Sequence, residues 1–420
     1  MISESVGMLP LARIMEANQR LKGVVEPTPL QKNLNLSDIY DCEVLLKRED
    51  LQVVRSYKIR GAYNRMAQLD QADRTKGIVC ASAGNHAQGV ALSCYKLGIE
   101  GKIYMPSTTP RQKVRKVKLF GKDKVEVLLV GDTFDDAYAA AIQDSQESGA
   151  VFVHPFNDPL VMAGQGTVGM EILDQVHQGI DYVFLGIGGG GLASGLGSYI
   201  KQLSPSTKII GVEPSGAPAM KRSLEKGEII TLDEIDKFVD GAAVKRVGEE
   251  TFQICREVLD DTVVVPEGKI CTTILHLYDE EAIVVEPAGA LAIAALDQFK
   301  EEIKGKRVVC VVSGGNNDIT RMEEIKERSL LYEGLKYYFL IRFPQRAGAL
   351  IEFLSKVLGP TDDITHFEYS KKNNRNSGPA LVGIELENAE DYTRLIAKME
   401  AHKVNFQLVN DNHMLFNYLI

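Results

Sequence analysis

Between residues 40 and 320 the chain repeats one rhythm: a short apolar run, a helix-length amphipathic stretch, then another apolar run. The runs are "EVLLKRE", "KGIVCASAG", "GKIYMPS", "KVEVLLVG", "AVFVHPF", "YVFLGIGGG", "KIIGVEP" and "RVVCVVSGG". Several are apolar and β-branched at nearly every position, as strands covered on both faces must be. The segments between them, such as "AQGVALSCYKLG" and "TFDDAYAAAIQDSQESG", have helical periodicity and end in glycine. Strands that alternate with helices pair in parallel through crossover connections. The pattern therefore predicts an α/β fold with parallel-rich sheets.

After residue 320 the rhythm changes. "RMEEIKERSLLYEGL" reads as a charged helix or linker. Beyond it, "KYYFLIRF", "RAGALIEFLSKVLG", "DITHFEYS", "PALVGIEL", "AEDYTRLIAKMEAH" and "VNFQLV" give the order β-α-β-β-α-β, the ferredoxin-like split βαβ arrangement. A chain of 420 residues exceeds one compact core. The expected division is a first part over residues 1–325, a linker over 326–334 and a ferredoxin-like α+β domain over 335–420.

Composition narrows the function classes. With 48 basic and 57 acidic residues the formal charge is −9, which argues against nucleic acid or an anionic membrane surface as the partner. No apolar run approaches the roughly 18–20 residues that span a bilayer. The beginning, "MISESVGMLPLARIMEANQRL", has no basic segment followed by a continuous apolar core and does not read as a signal peptide. Six cysteines are scattered without a CxxC pair, most in apolar surroundings, and read as buried, reduced thiols of a cytoplasmic protein. The seven histidines show no metal-ligand spacing.

Ligands of open α/β sheets sit at the carboxyl ends of strands, and four such ends carry chemistry. In "LGIGGGGLASG", residues 185–195, the N–H groups of Gly188, Gly189, Gly190 and Gly191 can approach an anion because no Cβ intervenes. The helix that follows adds the positive end of its dipole. Gly186, Gly188 and Gly191 also satisfy GxGxxG, and Glu213 ends the next strand, so the residues leave a dinucleotide open as ligand. In "ASAGNHAQG", residues 81–89, Ser82, Gly84 and Asn85 open a helix whose first N–H groups are free for a carboxylate. The alternative there is a plain helix cap, and His86 has an equally plain reading as a helix-start histidine. In "CVVSGGNND", residues 310–318, the Ser313 hydroxyl follows a buried strand, in a ligand contact or a simple turn. In "VVRSYKIRGAYNRM", residues 53–66, Lys58 sits between Tyr57 and Ile59 and reads either as one more surface lysine or as a lysine held in a pocket for chemistry, with Arg60 and Arg65 nearby as members of a solvated charge run.

The four stretches in this order, "SYKIRGA", "SAGNH", "GGGGL" and "SGGN", resemble the fold-type II pyridoxal-phosphate enzymes, the tryptophan synthase β family. Within it, "LKREDLQ", "TTPRQKV", "GDTFDDA", "GQGT", "GVEP", "GAAVKRVGEETF" and "EPAGALA" are similar to the threonine deaminase (threonine ammonia-lyase) family, over about residues 5–320. The resemblance implies a two-subdomain catalytic part, with a small subdomain of about 55–165 inserted in the large one. It implies pyridoxal 5'-phosphate as cofactor, Lys58 as the Schiff-base lysine and Asn85 as partner of the ring hydroxyl. Gly188 to Gly191 and Leu192 would form the phosphate loop, and Ser313 would face the pyridine nitrogen. Ser82, Ala83, Gly84, Asn85 and His86 would bind the carboxylate of L-threonine.

Two departures from relatives are visible. Ala83 stands where serine racemases of this fold carry a second-face serine, which argues against racemisation. Ala219 stands where their metal-binding aspartate lies, so no metal is expected at Glu213, which is left a structural role. The C-terminal domain resembles the ACT-like regulatory domain of threonine deaminases, in one copy. That implies isoleucine or valine as effector, in a homotetramer.

Overall fold

The computed structural model describes residues 7–176, 178–369 and 377–410. The chain forms two compact units, one of Met1–Glu267 with Glu281–Asn317, the other of Gly268–Glu280 with Asp318–Ile420.

The first unit holds ten strands: β1 (Leu30–Asn33), β2 (Glu43–Arg48), β3 (Ile78–Ala81), β4 (Gly101–Met105), β5 (Val125–Leu129), β6 (Val151–Phe152), β7 (Tyr182–Gly186), β8 (Lys208–Pro214), β9 (Asp261–Val265) and β10 (Arg307–Val312). They build a six-stranded sheet in the order β1-β2-β10-β7-β8-β9 and a four-stranded sheet in the order β5-β4-β3-β6. All pairs are parallel except β1 with β2. The central strands are the runs with the least polar content: β10 has Val308 to Val312 buried, and β7 has Tyr182 to Leu185 buried. Both faces of such strands are covered, each large aliphatic side chain contributing about 1.5–3 kcal/mol on burial.

Two strands escape the sequence pattern. β1, "LQKN", is a polar edge strand, and it pairs antiparallel because only a short connection joins it to β2. β9, "DTVVV", is an edge strand beside β8. In the other direction, "AVFVHPF" yields only the two residues of β6 before the chain turns at Pro155.

Helices Lys58–Ala67, Pro159–Gln175 and Gly191–Leu203 meet through glycines. A Cβ on Gly164 would strike the Arg60 carbonyl, and one on Gly195 the Met162 carbonyl. The bare backbones allow the close approach that brings the first turns of two of these helices to the same end of the sheet.

The second unit has β11 (Lys336–Pro344), β12 (Asp363–Tyr369), β13 (Ser377–Glu385) and β14 (Asn405–Leu408) in the antiparallel order β12-β13-β11-β14. Helices Ala349–Lys356 and Asp391–Ala401 supply Phe353, Leu395 and Met399 to a core with Phe339, Ile341, Val382 and Ile384. This is the ferredoxin-like arrangement that the β-α-β-β-α-β order predicts. Helix Met322–Tyr332 belongs to this unit and runs through most of the segment read as a linker over 326–334. Its Glu327 accepts from Lys336 Nζ at 2.5 Å and from the Tyr338 hydroxyl at 2.7 Å. The compact division thus falls upstream of the expected one, and Gly268–Glu280 joins the second unit. Residues 411–420, the end of the domain read over 335–420, lie outside the described residues, as do residues 1–6.

Candidate active site

The segment after β2 turns through a short 3-10 helix, Glu49–Leu51, and Arg55 with φ +59° into helix Lys58–Ala67. It is stitched to the strand-end loop after β10. The Tyr57 N–H donates to the Ser313 carbonyl at 3.3 Å, the Gly315 N–H to the Arg55 carbonyl at 2.9 Å, and Ser56 bridges Gly314. Lys58 and Ser313 are therefore neighbours through backbone hydrogen bonds, although 255 residues separate them (313 − 58).

Lys58 is half-buried, and its Nζ donates to the Pro155 carbonyl at 3.2 Å. Desolvation lowers the Lys58 ammonium to about 8, and the Glu286 carboxylate acts in the opposite sense. An amine in this range has a usable neutral fraction at physiological pH, which an exposed lysine lacks. Gly89 makes room for it: a Cβ there would lie 3.1 Å from the Ile59 nitrogen and the Lys58 carbonyl carbon.

Helix Asn85–Leu97 begins at Asn85, and Gly84 before it makes no side-chain cap. The Asn85 side chain faces other partners: Nδ2 donates to Glu286 Oε1 at 2.6 Å, and Oδ1 accepts from Asn316 Nδ2 at 2.7 Å. The cap reading of Asn85 is thereby set aside. Ser82 Oγ accepts the Gly84 N–H at 3.2 Å, which leaves its own proton to donate. Ala83 packs against the small hydrophobic core behind the four-stranded sheet. His86 is buried, and its Nε2 must donate to the Val153 carbonyl at 2.9 Å, since a carbonyl only accepts. Burial, then the Lys58 charge, lowers His86 to about 3, so it is neutral. Its Nδ1 has no partner among the described residues.

The glycine loop leads into helix Gly191–Leu203, with Gly190 left-handed at φ +93°. A Cβ at Gly188 would meet Ala242 at 3.1 Å, and one at Gly189 would run into the Phe156 ring. The loop is thus packed from behind by the Ala242 backbone and the Phe156 ring, which leave no space for side chains of its own. The first N–H groups of the helix have no intrahelical acceptor. The Leu192 side chain lies in the core, so this residue offers only its backbone. Pro155 and Phe156 tie the site together, because Pro155 accepts from Lys58 while Phe156 packs on the glycines.

Glu286 was not legible as a site residue. It is buried, and burial, reinforced by the Asp240 charge, raises its carboxyl to about 7. It touches Asn85, its N–H donates to the Gly314 carbonyl at 3.2 Å, and its charge acts on Lys58. Two residues on, the Ala288 carbonyl accepts from Ser313 Oγ at 3.2 Å. The available signal was one carboxylate inside an apolar run, "AIVVEPAGALAIAAL".

Two readings are corrected. Arg60 is not solvated: it is 1% exposed, with Glu49 held at 2.8 Å by Nε and by Nη2, Glu171 at 2.6 Å and Thr167 at 3.1 Å. Arg65 pairs with Asp158 at 2.8 Å on the half-buried flank. Glu213 is buried, and its two oxygens accept the N–H groups of Met220 and Lys221 at 2.8 and 2.7 Å, capping helix Ala219–Lys226. A carboxylate with no exposed surface and both oxygens turned to the start of that helix does not present itself to a ribose hydroxyl, which removes the acidic half of the dinucleotide pattern. Of the six cysteines, all free, five are buried and Cys42 is half-buried.

Residues 21–314 match the pyridoxal-phosphate dependent enzyme family, and residues 327–419 match the C-terminal regulatory domain of threonine dehydratase. The curated "L-threonine dehydratase biosynthetic IlvA" of Halalkalibacterium halodurans is 61% identical over 415 residues, covering 99% of this chain and 100% of that one. Its counterpart in Bacillus subtilis is 59% identical over 413 residues, covering 98% of each. The solved structure of the processed form of threonine deaminase isoform 2 from Solanum lycopersicum is 40% identical, with a TM-score of 0.73 over 78% of this chain and 94% of that one. With Asn85 bonded to Glu286, Ser313 bonded to Ala288 two residues on, and Lys58 under the Glu286 charge, the chain belongs to the threonine dehydratase family of pyridoxal-phosphate-dependent enzymes.

Proposed function

We propose that this chain deaminates L-threonine to 2-oxobutanoate and ammonia, as the first step of isoleucine biosynthesis. The observation that carries the reading is the half-buried Lys58, lowered to about 8 beside Asn85, Glu286 and Ser313. The residues fit pyridoxal phosphate. The Gly188–Gly191 loop offers backbone N–H groups where side chains are excluded, and Lys58 offers an amine that is free in useful measure near neutral pH.

Bound there, pyridoxal phosphate supplies the electron sink for α-proton loss and β-hydroxyl departure. Gly188 to Leu192 would hold its phosphate, Asn85 would donate to its ring oxygen, and Lys58 would anchor it covalently. The Ser313 hydroxyl rests on the Ala288 carbonyl at 3.2 Å, a long bond whose proton is available to a pyridine nitrogen. A hydroxyl there would leave that nitrogen unprotonated, which would favour elimination over transamination. The Ser82–His86 loop would hold the substrate carboxylate through the Ser82 hydroxyl and the free N–H groups at the start of helix Asn85–Leu97. The amine of threonine would displace Lys58 from that covalent link, and the Lys58 amine so released would take the α-proton at Nζ, with the Glu286 charge stabilising the ammonium formed.

Purified protein given L-threonine, L-serine and O-phosphohomoserine in separate reactions tests this. The expected result is 2-oxobutanoate from threonine as the fastest product; no 2-oxo acid from threonine would end the proposal. The second unit would bind isoleucine or valine as effector in a homotetramer. Micromolar to millimolar isoleucine should then raise the threonine concentration needed for half-maximal rate, and native mass spectrometry should find four chains. An activity indifferent to both amino acids would remove the effector assignment.

A further inference from the structure

Asn85 is an amide, and an amide that can turn over can present either a donor or an acceptor to a ligand. Which face it presents is fixed here by a chain of side chains that crosses between the two sheets of the first unit. Lys116, on helix Arg111–Gly121 between β4 and β5, donates from Nζ to Asn316 Oδ1 at 3.0 Å. Asn316, just after β10, donates from Nδ2 to the Val54 carbonyl at 2.8 Å and to Asn85 Oδ1 at 2.7 Å. Asn85, just after β3, donates in turn to Glu286 Oε1 at 2.6 Å. The links alternate between the four-stranded and six-stranded sides.

The polarity of the chain has one solution. A lysine ammonium only donates and the Val54 carbonyl only accepts, so Asn316 cannot turn over without losing both contacts. With Asn316 fixed, a reversed Asn85 would set NH2 against NH2 at one end and oxygen against a carboxyl oxygen at the other. Asn85 therefore keeps its Oδ1 toward Asn316, and its NH2 group carries one N–H for Glu286 and one more to give. We infer that Asn316 and Lys116 are positioning residues that hold Asn85 as a hydrogen-bond donor toward the cofactor's ring oxygen. The inference rests on the reading of Asn85 as the ring-oxygen partner.

The test uses the full chain, stripped of cofactor and titrated with pyridoxal phosphate while the visible absorption is followed across pH, for wild type and four variants. Asn316→Asp puts an acceptor against both Asn85 Oδ1 and Val54, and should weaken cofactor binding about ten- to a hundredfold and move the pH dependence of the absorption. Lys116→Met should weaken binding less, about three- to tenfold, and Lys116→Arg, which keeps a donor, should restore it. Asn85→Ala should weaken it at least as much as Asn316→Asp. If Asn85→Ala weakens binding while Asn316→Asp and Lys116→Met titrate as wild type does, the positioning chain is wrong. If Asn85→Ala itself binds and absorbs as wild type does, the reading of Asn85 fails instead. Should Asn316→Asp not fold, the Lys116 pair decides. A loss of thermal stability equal with and without cofactor, with an unmoved absorption, makes the role merely structural and overturns the inference.

Discussion

Lys58 and Arg60 lie two residues apart in the first turn of one helix, about 200° apart around its axis, in opposite surroundings. Arg60 is enclosed by Glu49 and Glu171, and Lys47 and Thr28 complete the network. Lys47 Nζ donates to Glu171 at 2.6 Å, and Thr28 Oγ1 donates to Glu49 at 2.6 Å. Those carboxylates hold the Arg60 charge in place and raise its pKa despite burial. Lys58 has a carbonyl as its hydrogen-bond acceptor, and burial lowers it to about 8. A buried cation given its full set of carboxylates is scaffold. A cation desolvated with no carboxylate hydrogen-bonded to it, and only the charge of Glu286 nearby, is poised to lose its proton.

The comparison can be broken at either end. Lys58→Ala should abolish the release of 2-oxobutanoate from threonine, about a thousandfold or more in rate, while the unfolding free energy of the cofactor-free protein in urea stays within about 1 kcal/mol of wild type. Arg60→Ala should do the reverse to stability. It leaves Glu49 buried without its ion-pair partner, with only the Thr28 hydroxyl and the Lys47 charge beside it, at a cost of about 3–5 kcal/mol in urea unfolding. A mild Arg60→Ala would show that the network is not what anchors the helix.

The protonation of Lys58 sharpens the contrast. Its folded pKa lies below the ordinary lysine value of 10.5, so the neutral amine appears as pH rises through about 8. Stopped-flow reloading of cofactor-free protein should accelerate across that range and level off above it. Glu286 raises the Lys58 pKa, so Glu286→Gln should shift the midpoint to lower pH. A midpoint near 10, or one that moves upward, contradicts the assignment. Arg65→Ala carries the smallest effect: its pair with Asp158 is partly exposed, and about 0.2–1 kcal/mol of stability is at stake.

Much of this was legible in the chain. Parallel strands announce themselves as unbroken apolar runs, and glycine stretches at their ends mark where backbone must come close to something else. The polar strand Leu30–Asn33 carried no such signal, because an edge strand needs only half a face buried. Lys58, Asn85 and Ser313 could be named from local motifs. Glu286, Asn316 and Lys116 could not, because their parts come from hydrogen bonds across 200 or more residues. Arg60 was misread for a related reason: its carboxylates lie 11 and 111 residues away, so the neighbouring sequence shows only a charge run.

The proposed chemistry requires Lys58 to be the lysine that holds the cofactor. Borohydride reduction of the loaded protein, followed by proteolysis and mass mapping, reads this directly. The expected result is a reduced pyridoxal-phosphate adduct on the peptide containing Lys58, with loss of the visible absorption. An adduct confined to another lysine, or bleaching with no adduct on that peptide, would contradict it.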